Sequence, residues 1–171
     1  MITEITKLKT AIHAELQRIE EDCTHSGKAH FNAGIRFARY HYGLGIPSVI
    51  LSALAGLAFF KDYPNIAGAM SGAVVILASL ITFLKPSERS ASHKSSGDQY
   101  LSLRNDARVF REVKLPNFSD GQAAMDGLDE FSKRRNELNQ ASAQFSRDDF
   151  EKARRGINTG EASHSVDQTD A

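Results

Sequence analysis

The sequence predicts an all-α membrane protein: a two-helix transmembrane hairpin with N- and C-terminal cytoplasmic helices. Three observations carry that reading. Residues 42–84 hold only two charges, Lys61 and Asp62, where a chain of ordinary charge content would show about eleven. Outside that gap, apolar side chains recur at three- and four-residue steps, the spacing of one helix face. Nowhere does a strand-type alternation of apolar and polar residues appear.

Residues 42–60 read YGLGIPSVILSALAGLAFF and residues 63–84 read YPNIAGAMSGAVVILASLITFL, both uncharged. At 1.5 Å per residue they cover about 28 and 33 Å, close to the roughly 30 Å hydrocarbon core of a bilayer. Between them lie Lys61 and Asp62, with Tyr63-Pro64-Asn65 supplying turn chemistry and an interfacial aromatic. So short a link demands an antiparallel hairpin. A buried soluble hairpin is the alternative, but a soluble domain of this size rarely carries two segments apolar on all faces and of spanning length. The first apolar run begins at residue 42 with no cleavage pattern after it, which speaks against a cleaved signal peptide.

The totals exclude other classes. With 21 basic and 21 acidic residues in 171, the chain has the length of one domain and none of the basic excess of a binder of duplex nucleic acid. A single cysteine, Cys23, excludes an intramolecular disulfide framework and a Cys-rich zinc site, and suits a reducing compartment.

The flanking basic residues set the expected orientation. Lys28, Arg36 and Arg39 precede the first span, Lys85, Arg89 and Lys94 follow the second, and only Lys61 lies in the hairpin. That imbalance places both termini in the cytoplasm. Net charge runs +1 over residues 1–41, +3 over 85–114 and −4 over 115–171, so the basic part lies nearest to anionic headgroups.

Four regions follow: an amphipathic arm (1–41), the hairpin (42–84), a cytoplasmic helical region (85–160) and a disordered polar tail (161–171). In the arm, Ile2, Ile5, Leu8, Ile12, Leu16, Ile19 and Cys23 form the apolar stripe, and Ser26-Gly27 marks an expected break or kink. After Pro86 a helix with Tyr100, Leu103, Ala107 and Phe110 on one face should end at Leu115-Pro116-Asn117. Ser119-Asp120 opens a further helix with Leu128, Phe131 and Leu138 inward. Ser146-Arg147-Asp148-Asp149 has the form of a capping box, starting a helix that buries Phe150, Ala153 and Ile157 and stops at Gly160.

On a helical wheel the second span is two-faced. Gly68, Ser71, Gly72, Val75, Ser79 and Thr82 share about one third of the circumference, opposite Ile66, Met70, Leu77, Leu80, Ile81 and Leu84. Gly68 and Gly72 form a GxxxG pair that permits close helix approach. Ser48, Ser52 and Ala55 repeat the idea in the first span. These small faces either pack against each other within one hairpin or turn inward in a homo-oligomer to line a water path. No charge lies inside either span, so a pore built from them has no proton relay and no charged selectivity ring. Gly43, Gly45 and Pro47 open the first span, as a helix start with Pro47 in its first turn or as a hinge.

Apparent chemical clusters dissolve on inspection. Cys23 and His30 share a helix face while His25 points elsewhere, with no fourth ligand nearby, short of a zinc site. His13, His41, His93 and His164 are scattered, and no nucleophile-base order can be argued. Lys133-Arg134-Arg135 and Arg154-Arg155 have acidic neighbours, which makes them a solvated face. Neither a cofactor nor an enzyme activity is expected.

The layout nevertheless has a counterpart. HFNAGIRFARYHYGLGIP, the tight hairpin, FLKPSERSASHKSSGDQYLSLRNDAR, GLDEFSKRRNELNQ and FEKARRGINTGEASH together resemble the SLATT family. These are two-transmembrane effector domains associated with SMODS nucleotidyltransferases and SLOG nucleotide sensors. The resemblance spans almost the whole chain, about residues 8–165, and rests on arrangement, not on an invariant catalytic signature. It implies a bacterial anti-phage effector, triggered by a nucleotide second messenger or a separate sensor protein to form an oligomeric pore. His30, Gly34, Gly45, Pro47, Gly56, Lys85, Pro86 and Arg89 match its recurring blocks, in junctional and structural roles. This chain departs from fused versions in lacking a sensor domain of its own. A membrane-anchored scaffold or regulatory subunit is the rival expectation.

Overall fold

A computed structural model of the protein describes residues 2–163. Its elements are α1 (Ile2–Phe60), α2 (Pro64–Leu84), α3 (Pro86–Val109), a π-helical turn (Phe110–Lys114), a 3-10 turn (Leu115–Asn117), α4 (Gly121–Ala141) and α5 (Arg147–Asn158). No strand occurs among the described residues. The part of the expected disordered tail beyond residue 163 lies outside them.

The chain divides into two compact units, one of Met1–Ala33 with His93–Ala171, the other of Gly34–Ser92. In the first, the apolar stripe of α1 meets α3 and α4. Ile12, Leu16, Ile19 and Cys23 are buried with Tyr100, Leu103, Ala107, Phe110, Leu115, Ala124 and Phe131, and Leu8, Phe118, Leu128 and Leu138 pack around them. Complete burial of each large aliphatic side chain contributes about 1.5–3 kcal/mol. The N-terminal stripe and the helices after residue 85, distant in sequence, therefore share one core.

Two expectations fail in α1. The break at Ser26-Gly27 does not occur, and Pro47 lies inside the helix instead of starting it. Gly27 is needed for proximity, since a Cβ there would stand 3.4 Å from the Gly97 carbonyl oxygen of α3. Gly97 answers it, with a Cβ position 3.0 Å from the Phe31 ring and 3.2 Å from the Gly27 carbonyl. The pair lets two backbones approach where side chains would hold them apart. At Pro47 the missing N–H deprives the Gly43 carbonyl of its helical donor, and the apolar segments on both sides carry the helix through.

The turns are built from specific backbone chemistry. Asp62 adopts φ 58°, its N–H reaches the Phe59 carbonyl and the Tyr63 N–H reaches that of Ala58. This double bond is a Schellman closure with aspartate where glycine is usual. Lys85, also left-handed at φ 45° and ψ 51°, is the single residue between α2 and α3, and Pro86 begins α3. Asp120 caps α4 by accepting from the Gln122 N–H. Ser146 and Asp149 form the expected capping box of α5, and Gly160 turns the chain with φ 93°.

Candidate functional site

The unit of residues 34–92 contains the sequence-predicted membrane residues. Two helices hold 18-residue stretches of mean hydropathy 1.9 and 2.1, and 6% of each stretch is buried. A core helix of a soluble protein would be mostly covered; these are bare. Within residues 42–84 only Ala55 and Ala67 are buried. Between the two helices lies an open groove of about 670 Å³, lined by Ser52, Ala55, Gly56 and Phe59 from one and Pro64, Ala67, Gly68, Ser71, Val74 and Val75 from the other.

Of the small residues singled out from sequence, the structure gathers Ser52, Gly68 and Ser71 around that groove. Gly72, Ser48, Ser79 and Thr82 do not line it. A Cβ added at Gly56, Gly68 or Gly72 would meet no atom within 4 Å. The close approach that GxxxG spacing permits is thus not used between these two helices. Ser79 and Thr82 donate to the carbonyls of Val75 and Ala78, at 2.7 and 2.9 Å. Bonding back to residue i−4 satisfies each hydroxyl proton inside its own helix. Gly56, Phe59, Pro64, Ala67 and Val74 also line the groove, though the wheel did not select them; the first four lie near the turn.

The basic residues beside the spans have different fates. The Arg36 guanidinium lies 4.5 Å from the Phe37 ring centroid and 5.9 Å from that of Tyr40, and Arg89 stands 5.7 Å from Phe37. Such cation–π contacts orient a guanidinium without neutralising it. Lys85 pairs with Glu88 at 3.2 Å. Ser90, buried, donates to the Gly34 carbonyl at 2.8 Å and ties the start of α3 to α1. Arg39 is exposed. Lys94, in the other unit, is exposed too.

In that other unit the structure brings together a pair that sequence reasoning left scattered. His30 of α1 and His93 of α3, 1% and 3% exposed, share a hydrogen bond of 2.9 Å between their Nδ1 atoms. Tyr100 stacks on His30 at 5.4 Å and Phe145 meets it edge-on at 5.1 Å. The Tyr100 hydroxyl donates to the Asn139 side-chain oxygen at 2.7 Å. Burial, helped by the adjacent His93, pushes the His30 imidazole down to about 4. The His30 ring is therefore neutral near pH 7, and of the two facing nitrogens one donates and the other accepts. Burial pushes the Cys23 thiol up to about 12, which leaves it protonated and unreactive. Nearby, Arg111 sits between Glu20 and Glu112 with its Nη1 3.0 Å from His13 Nε2, a closed polar cluster at the π-helical turn.

What fold and site define is an all-helical chain with two helices long and apolar enough to cross a membrane, a small-residue groove between them, and a separate helical unit with its own core. Comparison with protein-family models, with curated proteins and with solved structures finds no match to this chain.

Proposed function

We propose that the chain is a bacterial inner-membrane effector that oligomerises through its two-span hairpin into a pore. As the SLATT resemblance implies, a nucleotide signal or a partner sensor triggers it in an anti-phage system, and the permeabilised cell stops growing. Both termini lie in the cytoplasm, on the basic flanks, and the protein is not an enzyme. The observation that carries this reading is the open groove. Helix association in lipid depends on small residues that let backbones meet, and the hairpin leaves Gly56, Gly68 and Gly72 uncovered. A second copy is the natural cover. One hairpin cannot enclose water alone, because every polar backbone group in lipid needs an internal partner and a channel needs a closed wall. With no charge inside either span, the pore is narrow, weakly selective and gated by packing or dewetting.

Native mass spectrometry of the detergent-extracted full-length protein tests this. A discrete oligomer of about four or more subunits supports the pore, and dye leakage from liposomes should accompany it. Gly72→Leu, which thickens the close-packing face, should abolish both assembly and leakage. Retained leakage with normal assembly counts against the proposal, as does a monomer that no added nucleotide or partner drives to assemble.

One observation favours the rival, a membrane-anchored scaffold: residues 1–33 and 93–171 form a compact unit with its own buried core. A tether would tolerate replacement of residues 42–84 by an unrelated hairpin, whereas the pore would not.

A further inference from the structure

From residue 23 to residue 60 the chain contains no aspartate or glutamate, while Lys28, Arg36 and Arg39 are present. At the step from this basic stretch into the uncharged one, α1 carries a second groove, of about 380 Å³. His41, Tyr42, Gly45, Ile46, Val49 and Ile50 line it. Gly45 is its floor, where a Cβ would meet no atom within 4 Å. The rings of His41 and Tyr42, centroids 5.5 Å apart, stand at one end. Ile46, Val49 and Ile50, all exposed, form the rest of the wall.

The polar end is incomplete in two ways. His41 Nδ1 is buried and has no hydrogen-bond partner, which leaves a polar atom unsatisfied. Arg39, one helical turn before Tyr42 and Gly43, is exposed, with no ion pair or hydrogen bond among the described residues. The carboxylate of Glu88 is engaged by Lys85. An unpaired guanidinium thus lies one helical turn before an open apolar channel that runs toward the uncharged span, and an unsatisfied imidazole nitrogen lies buried in its His41 wall.

We propose that this groove holds one anionic phospholipid. The phosphate lies on Arg39, and an acyl chain runs over Gly45 along Ile46, Val49 and Ile50. A soluble anion would leave the apolar wall in water, and a zwitterionic lipid would bring an ammonium along with its phosphate to a stretch that has basic residues and no carboxylate to receive it. The site rests on the membrane placement proposed above.

The test reconstitutes the full-length protein in vesicles of equimolar phosphatidylglycerol and phosphatidylethanolamine. The protein is then extracted into mild detergent and the co-purifying lipids are counted by mass spectrometry. One basic residue at a membrane surface should raise the ratio of anionic to zwitterionic retained lipid about fivefold, from one in the vesicle to about five. Arg39→Gln should return that ratio to about one. Gly45→Leu, which fills the groove and favours helix, should reduce retained lipid of both kinds. Wild-type protein carrying the two lipids in vesicle proportion overturns the proposal, and so does enrichment that survives Arg39→Gln. Resistance of the reconstituted protein to alkaline carbonate extraction separates the two failures. Protein that stays in the membrane without enrichment refutes the site alone, and protein that washes off refutes the membrane reading with it.

Discussion

The buried pair of His30 and His93 makes the stability of the protein depend on pH in a window set by imidazole, well above that of the carboxylates. In the unfolded chain a histidine takes up a proton near 6.5, whereas the folded His30 resists protonation down to about 4. Between those values the unfolded state binds one more proton than the folded state, so stability falls as pH falls. Each pH unit is worth 1.36 kcal/mol for one proton, which makes the loss about 3 kcal/mol across the window. Below the folded value His30 adds nothing further. The cause is burial first: a charge on the His30 ring, 1% exposed, would lie among Tyr100 and Phe145, and the His93 imidazole 2.9 Å away adds to the penalty. Urea unfolding of the full-length protein in detergent, followed by near-ultraviolet dichroism at a series of pH values, reads this directly. His30→Asn keeps a neutral hydrogen-bonding group toward His93 but cannot titrate. Its stability at pH 7 will be lower, while its slope between pH 6.5 and 4 should flatten by about one proton. Two parallel profiles would refute the reasoning.

Other consequences concern packing and turns. A Cβ at Gly127 would come within 2.3 Å of the Phe110 ring, so Gly127→Ala should cost about 1–3 kcal/mol through overpacking, measured by the same urea titration. Lys85 pays for a left-handed conformation that glycine adopts freely. Lys85→Gly should therefore raise stability by about 0.5–1 kcal/mol in thermal unfolding, the steric relief exceeding the added chain entropy. Ser146→Ala removes one half of the α5 capping box, with an expected loss of about 1 kcal/mol and faster amide exchange in residues 147–150. Cys23, buried and with its thiol pushed up to about 12, should resist iodoacetamide at pH 8 in the folded protein and react at the rate of an ordinary thiol in urea.

Much of the architecture was legible because its signals are local. The charge gap over residues 42–84 and its two-charge interruption mark two apolar helices and their turn. The stripe from Ile12 to Cys23 and the face of Tyr100, Leu103, Ala107 and Phe110 mark the core. The Ser146 to Asp149 spacing marks the α5 cap. Gly27 and Pro47 misled for one reason: propensity describes an isolated helix, whereas a partner backbone rewards glycine and a long apolar segment tolerates a proline.

By itself, then, the sequence determined which segments are helical, which faces are apolar and where two spans of membrane length lie, since hydropathy and periodicity depend only on neighbours a few positions away. Only the tertiary structure decided that His30 meets His93 across 63 residues, that Gly27 and Gly97 form a crossing, and that the glycines of the second span remain uncovered. Each depends on which helix faces come together and how closely, a property of packing between distant segments that no local pattern encodes.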